Sequence, residues 1–396
     1  MGSLRDDAHK LADEITGLRH SIHREPEIGL DLPKTQQKVL AALDGLPLEV
    51  SRGQSLSSVT AVLRGARPGK TVLLRGDMDA LPVTERSGVS YTSEVPGVMH
   101  ACGHDTHVAM LAGAARLLAA RQADLAGNVI FMFQPGEEGC GGAPLMIEEG
   151  VLDAAGDRPA AAFALHVASE ELPGGTFSSR GGPVLAASDA LEVTVHGRGG
   201  HGSQPFRAAD PVPAICEIVT ALQTMVTRRF DVFDPVVITV GSLHAGTARN
   251  VIPDDAKFSG TVRTLSAANR AVVREASVEL VRKIAEAHGL SADAEYVQGY
   301  PVTVNTPAQV AVAEQVIAAT LGADRYVPQS NPDPGSEDFS YVLEQVPGAF
   351  ISLGACPQGV DPDGAPANHS AEAVFDDAVL PDGAAIYAAL ALQTLA

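Results

Sequence analysis

Residues 100–107 read HACGHDTH, which puts one thiol and three imidazoles into eight positions. Sulfur and imidazole are soft-to-borderline donors suited to zinc or a neighbouring transition metal, and a deprotonated thiol is also a nucleophile. Val108, Leu111, Ala112, Ala115 and Leu118 then recur at helical spacing. Cys102 and His104 are therefore expected in a loop that feeds a helix, with Asp105 as its N-cap. A cysteine just outside a helix N-terminus feels the positive end of the dipole, which favours the thiolate. Taken alone, the octapeptide is also compatible with a buried cysteine and surface histidines.

The rest of the chain changes that balance. Residues 71–74 (TVLL), 128–133 (NVIFMF), 160–165 (AAAFAL) and 349–353 (AFISL) are continuous apolar runs of strand length, as expected of strands covered on both faces. Asp77 and Asp79 follow the first, Glu137 and Glu138 the second and His166 the third, while His369 follows the fourth through a Pro/Gly/Asp-rich loop. In open α/β sheets ligands collect beyond the carboxyl ends of the strands. Cys102, His104, Glu138, His166 and His369 make five donors, more than one tetrahedral ion needs. Because a thiolate or carboxylate can bridge, two divalent ions sharing Cys102 is the economical reading.

Glu137 and Glu138 are adjacent, so on extended chain they point to opposite sides. If Glu138 binds metal, Glu137 is placed to take a proton from an attacking water and to hand it to a leaving nitrogen. Asp79 could orient a ligand imidazole. Asp77 has the weaker claim.

Residues 197–205, GRGGHGSQP, form a glycine-rich loop around His201. It lacks the lysine of a phosphate loop, so nucleotide binding is rejected, and its glycines instead let the backbone bring His201 up to a ligand. Arg249 and Asn250 fall at the end of another strand, where an arginine could clamp a substrate carboxylate. GSEDFS, residues 335–340, is a candidate capping loop or active-site lip.

These residues need elements to carry them. The apolar stripe over residues 7–24 predicts one amphipathic helix, stopped by Pro26. Residues 187–297 change character, to alternating strands with two amphipathic helices in the order strand, helix, two strands, helix, strand. The expected architecture is α/β: a catalytic domain over 1–186 and 298–396 with a central mostly parallel sheet, interrupted by a ferredoxin-like α+β satellite over 187–297.

The chain has 396 residues, 45% of them hydrophobic and 4% aromatic, which suits a globular α/β protein of two domains. Its 28 basic and 48 acidic residues give a formal charge of −20, which disfavours nucleic acid and anionic membrane as partners. Four scattered cysteines do not make a disulfide framework, and with no apolar leader at the N-terminus a cytoplasmic location is expected. No run approaches the roughly 20 apolar residues of a membrane span.

HREPEIG, RGDMDALP, MHACGHDTH, QPGEEG, LHV, GRGGHGSQP, RNVIP, GSEDFS and NHS follow one another in an order that resembles the aminoacylase-type family of dinuclear metallopeptidases, over nearly the whole chain. Within it the chain is most similar to the amidohydrolase branch of hippurate hydrolases, N-acyl-amino-acid amidohydrolases and auxin-conjugate hydrolases. The resemblance implies a metal-dependent hydrolase of linear amide bonds in N-acyl amino acids, similar conjugates or small dipeptides. It also implies that Cys102 bridges two ions, one held with Glu138 and His369 and the other with His104 and His166. Zinc or manganese, or else cobalt or nickel, would fill the sites.

By the same resemblance Glu137 is the base and Asp79 lies beneath a ligand. His201, Asn250 and Arg249 face substrate, with His201 acting across a homodimer formed by the satellite. Phe206, where many relatives have histidine, and GLDLPK, which lacks a glutamate, depart from the pattern at positions that bear on specificity. The rival readings are an amidase with Cys102 as nucleophile beside His104 or His107, and a non-catalytic binding protein that keeps the fold.

Overall fold

The computed structural model describes residues 3–396; Met1 and Gly2 lie outside it. The chain divides into two compact units, Met1–Val184 with Val304–Asn331 and Asp338–Ala396, and Leu185–Thr303 with Pro332–Glu337.

The first unit is built on an eight-stranded sheet. Its order is Leu48–Arg52, Val59–Arg64, Ala126–Gln134, Arg67–Asp77, Ala161–Ala168, Gly348–Gly354, Phe177–Ser179 and Tyr326–Pro328. The inner four run parallel, with antiparallel partners on both flanks. Val72, Leu74, Val129, Phe131, Phe163, Leu165 and Ile351 pack in one buried core with helices His104–Ala119 and Leu380–Leu395. The apolar stretch Asp377–Leu395 is long enough to cross a membrane, but it is mostly buried in this core, so its hydropathy is explained by packing.

The expectation of an α/β sheet thus holds, with three local corrections. The helix expected over 7–24 is two, Leu4–Lys10 and Ala12–Arg24, parted at Leu11, whose backbone leaves helical geometry. Asp77 ends its strand rather than following it. His166 sits inside its strand, because the ladder with Gly348–Gly354 continues through Ala168.

The inserted unit has strands Ala187–His196, Val236–Ala245, Asp255–Thr264 and Ser291–Val297, all antiparallel and ordered second, third, first, fourth. That is the ferredoxin-like arrangement. Helices Pro211–Arg229 and Ala267–Ala287 bring Ile215, Ile218 and Val281 into one buried core with the strand residues Leu191, Val193 and Phe258. A short pairing of Gly200–His201 with Val251–Ile252 has no signature in the sequence pattern.

Candidate metal centre

The parallel strands deliver their polar ends to one place, and helix His104–Ala119 begins there. Cys102 Sγ lies 3.2 Å from His369 Nε2 and 3.4 Å from His166 Nε2, and His369 Nε2 is also 3.2 Å from Glu138 Oε1. Ligand atoms of Cys102, His104 and Glu138 fall within 4.8 Å of one another. All five expected donors therefore converge. Both ring nitrogens of His104 are buried without completing a hydrogen bond; Asp79 Oδ1 at 3.5 Å and Asp77 Oδ2 at 3.6 Å stand only at ion-pair range. A buried imidazole left without partners is costly unless something else coordinates it.

Among protein groups alone, burial pushes the Cys102 thiol up, yet His166 and His104 outweigh it and hold the thiol well below its usual range. Burial disfavours charge on His104 and His166 as well, but Asp77 and Cys102 raise the first and Cys102 the second. His369, bonded to Cys102 and Glu138, is raised to about 10. The cluster thus gathers protons around a thiolate. The same demand for positive charge is met when a divalent cation displaces those protons, so the donor set fits metal.

The layer beneath is tied down. Val167 N–H donates to His107 Nε2, at 2.8 Å, so the His107 proton sits on Nδ1 and is given to Asp77 Oδ1. Burial lowers the His107 pKa to about 4 against the pull of Asp77. With both nitrogens used, His107 is a strut rather than a ligand. Asp77 also accepts from Arg75 Nη1 at 2.5 Å. Asp79 accepts the amide N–H groups of Glu137 and Glu138, both at 3.0 Å. It therefore shapes the turn that carries the two glutamates as well as facing His104.

His369 has a positive φ of 71°, a strained conformation for histidine, held by its N–H to Ala101 O at 2.8 Å. Beside it, Asn368 Nδ2 donates to Val167 O at 3.0 Å and Asn368 Oδ1 accepts from Ser169 N.

One expectation fails here. Gly103, not Asp105, is the N-cap, and His104 is the first helical residue. The Asp105 carboxylate is buried and turned to Arg19 Nε at 2.7 Å and His23 Nδ1 at 2.8 Å, which as charged partners outcompete helix amides. Within GSEDFS, Glu337, Asp338 and Ser340 are all buried.

His201, Arg249 and Asn250 belong to the inserted unit and are exposed. Arg249 and Asn250 sit in the turn between Val236–Ala245 and Val251–Ile252 rather than at a strand end. Ser203 N–H donates to His201 Nδ1 at 3.2 Å. A backbone amide can only donate, so in the neutral ring the proton is on Nε2, directed away from its own loop.

The model of "Peptidase family M20/M25/M40" matches residues 73–393. The chain belongs to this family. Relatives of this M20/M25/M40 member include thermostable carboxypeptidase 2 of Saccharolobus solfataricus, 39% identical and matched over 98% of each chain. IAA-amino acid hydrolase ILR1-like 4 of Arabidopsis thaliana is 35% identical over 97% of this chain and 86% of that one. Among solved structures, the Bacillus subtilis YXEP protein, a dinuclear metal-binding peptidase of the M20 family, superposes with a TM-score of 0.84 at 31% identity, covering 98% and 99% of the two chains. The M20/M25/M40 chain is accordingly a metal-dependent hydrolase of amide bonds.

Sequence reasoning passed over Arg75 and Asn368 in this M20/M25/M40 site, reached His107 only as a partner for a nucleophilic Cys102, and reached Asp338 only as part of GSEDFS. A signal for Arg75 existed: a charge inside a strand buried on both faces must be paired, and at period two Arg75 and Asp77 share a side.

Proposed function

We propose that the chain hydrolyses the amide of N-acylated amino acids or similar small conjugates with two divalent ions, zinc or manganese, in a cytoplasmic homodimer. The observation that carries this is the Cys102 sulfur, with His369 at 3.2 Å and His166 at 3.4 Å. That arrangement supports Cys102 as the shared ligand of two sites, Glu138 and His369 completing one and His104 and His166 the other. Bound there, the ions would polarise the scissile carbonyl and acidify the attacking water.

The chain's own groups do the rest. Glu137 takes the proton from water and passes it to the departing amine. His201 Nε2–H, the outward donor, stabilises the oxyanion. Arg249 and Asn250 hold the carboxylate of the amino-acid half. All four cysteines are free thiols, which supports a reducing compartment.

The test is hydrolysis of N-acetyl, N-benzoyl and longer acyl amino acids before and after chelation. Activity lost to chelator and regained with zinc or manganese is expected. Activity indifferent to chelator but abolished by thiol alkylation would overturn the reading in favour of Cys102 as nucleophile.

A further inference from the structure

The loop between strand Ala126–Gln134 and helix Gly142–Glu148 carries Glu137 and Glu138, and two carboxylates fasten it. Asp79 holds the crown, through the Glu137 and Glu138 amides. The base is held from far along the chain. Asp338 Oδ1 accepts from Gln134 Nε2 at 2.7 Å and Asp338 Oδ2 from Ala143 N–H at 2.9 Å, so one side chain grips the last residue before the loop and the first helical turn after it. Gln134 Nε2 also reaches Asp338 Oδ2 at 2.8 Å.

The grip is anchored in turn. Arg75 Nη2 donates to Asp338 Oδ1 at 3.0 Å and Arg75 Nε to Gln134 Oε1 at 2.9 Å. Arg75, Gln134 and Asp338 are all fully buried. An anchored, water-excluded carboxylate at the foot of a seven-residue loop restricts where its crown can stand. Asp338 is also the first residue after Pro332–Glu337, the return segment grouped with the inserted unit.

We propose that Asp338 is a positioning residue for hydrolysis: through Gln134 and Ala143 it sets where the Glu137 carboxylate and the Glu138 ligand stand. This rests on the functional reading above. Asp338→Asn keeps the shape but puts a donor where an acceptor is required, against Ala143 N–H or Gln134 Nε2. Gln134→Met breaks the same grip from the other side, with Asp338–Arg75 intact.

The experiment measures kcat, KM, melting temperature and zinc affinity by chelator competition on the full chain. The control is Asp189→Asn in the inserted unit, where a buried carboxylate similarly bridges Arg270 and the Gly299 amide. For Asp338→Asn at saturating metal, kcat should fall at least about tenfold with KM within about threefold. One of the two zinc ions should bind about 10–100-fold more weakly, as removal of an outer partner does. Gln134→Met should show the same pattern more weakly, and Asp189→Asn should lower the melting temperature with kcat unchanged.

Wild-type zinc affinities with kcat within twofold, or kcat losses that follow melting temperature alike in Asp338→Asn and Asp189→Asn, overturn the proposal. If wild type binds two zinc ions but cleaves no acyl amino acid, the functional reading fails. Weakening of one ion by Asp338→Asn would then still uphold its hold on Glu138.

Discussion

Glu137 and Glu138 are chemically identical neighbours to which the proposed function gives different tasks, and Cys102 is the thiol around which those tasks make sense. Glu138, raised by burial, lies 3.2 Å from His369 Nε2 at the sulfur cluster. Glu137→Gln should therefore retain both ions in elemental analysis while kcat drops by about 10²–10⁴-fold, the usual worth of a placed proton-transfer group. Cys102→Ala should instead lower bound metal from two ions to one or none, since it removes the proposed shared ligand. Residue types taken with their places beside apolar runs made the five donors legible, because sulfur, imidazole and carboxylate gathered in that way have few other uses. His107 and Asp338 were not legible in this way. A histidine whose nitrogens are spent on Asp77 and a backbone amide looks on paper like any ligand, and an aspartate buried against arginine looks like one in water.

Elements were legible as far as apolar periodicity reached and no further. The parallel strands declared themselves as unbroken apolar runs, but the polar residues Asp77, which ends its strand, and His166, which lies inside its own, are held in the ladder by neighbours that local pattern cannot reveal. Helix caps failed for a related reason. Asp105 would cap its helix if left alone, but it ties helix His104–Ala119 to helix Ala12–Arg24 through Arg19 and His23. That tie carries a pH signature.

Burial disfavours charge on His23, but Asp105 and Glu85 more than offset it and raise the pKa to about 9. A raised histidine contributes fully below its unfolded value near 6.5, and the contribution is lost as pH climbs through 9; its size is about 3 kcal/mol. Thermal melts from pH 6 to 9.5 should show wild-type stability falling toward that of His23→Gln across this window. Parallel curves would refute the linkage. The glutamate loop offers a sharper test of backbone fit, because a Cβ on Gly142 would stand 1.6 Å from Pro135 O. Gly142→Ala should cost about 1–3 kcal/mol or more in denaturant unfolding, with zinc binding lost alongside.

The proposed function draws on both units, since the inserted one holds His201, Arg249 and Asn250 while the proposed metal donors belong to the other. Its strand Val236–Ala245 ends the four-stranded sheet, with Val237 53% and Leu243 41% exposed. An open edge with apolar side chains invites pairing, and two copies joined about a two-fold axis would satisfy it without an endless chain of contacts. Sedimentation should give a dimer, and Val237→Lys should shift it toward monomer. Catalysis supplies the stricter test of the proposed homodimer. Glu137→Ala and His201→Ala are each expected to be inactive alone. If His201 serves the partner's site, random exchange makes half the dimers mixed, and each mixed dimer assembles one complete site from two damaged chains. The mixture should then recover about a quarter of the wild-type rate. If the histidine serves its own chain, no mixed dimer contains a complete site, and mixing restores nothing.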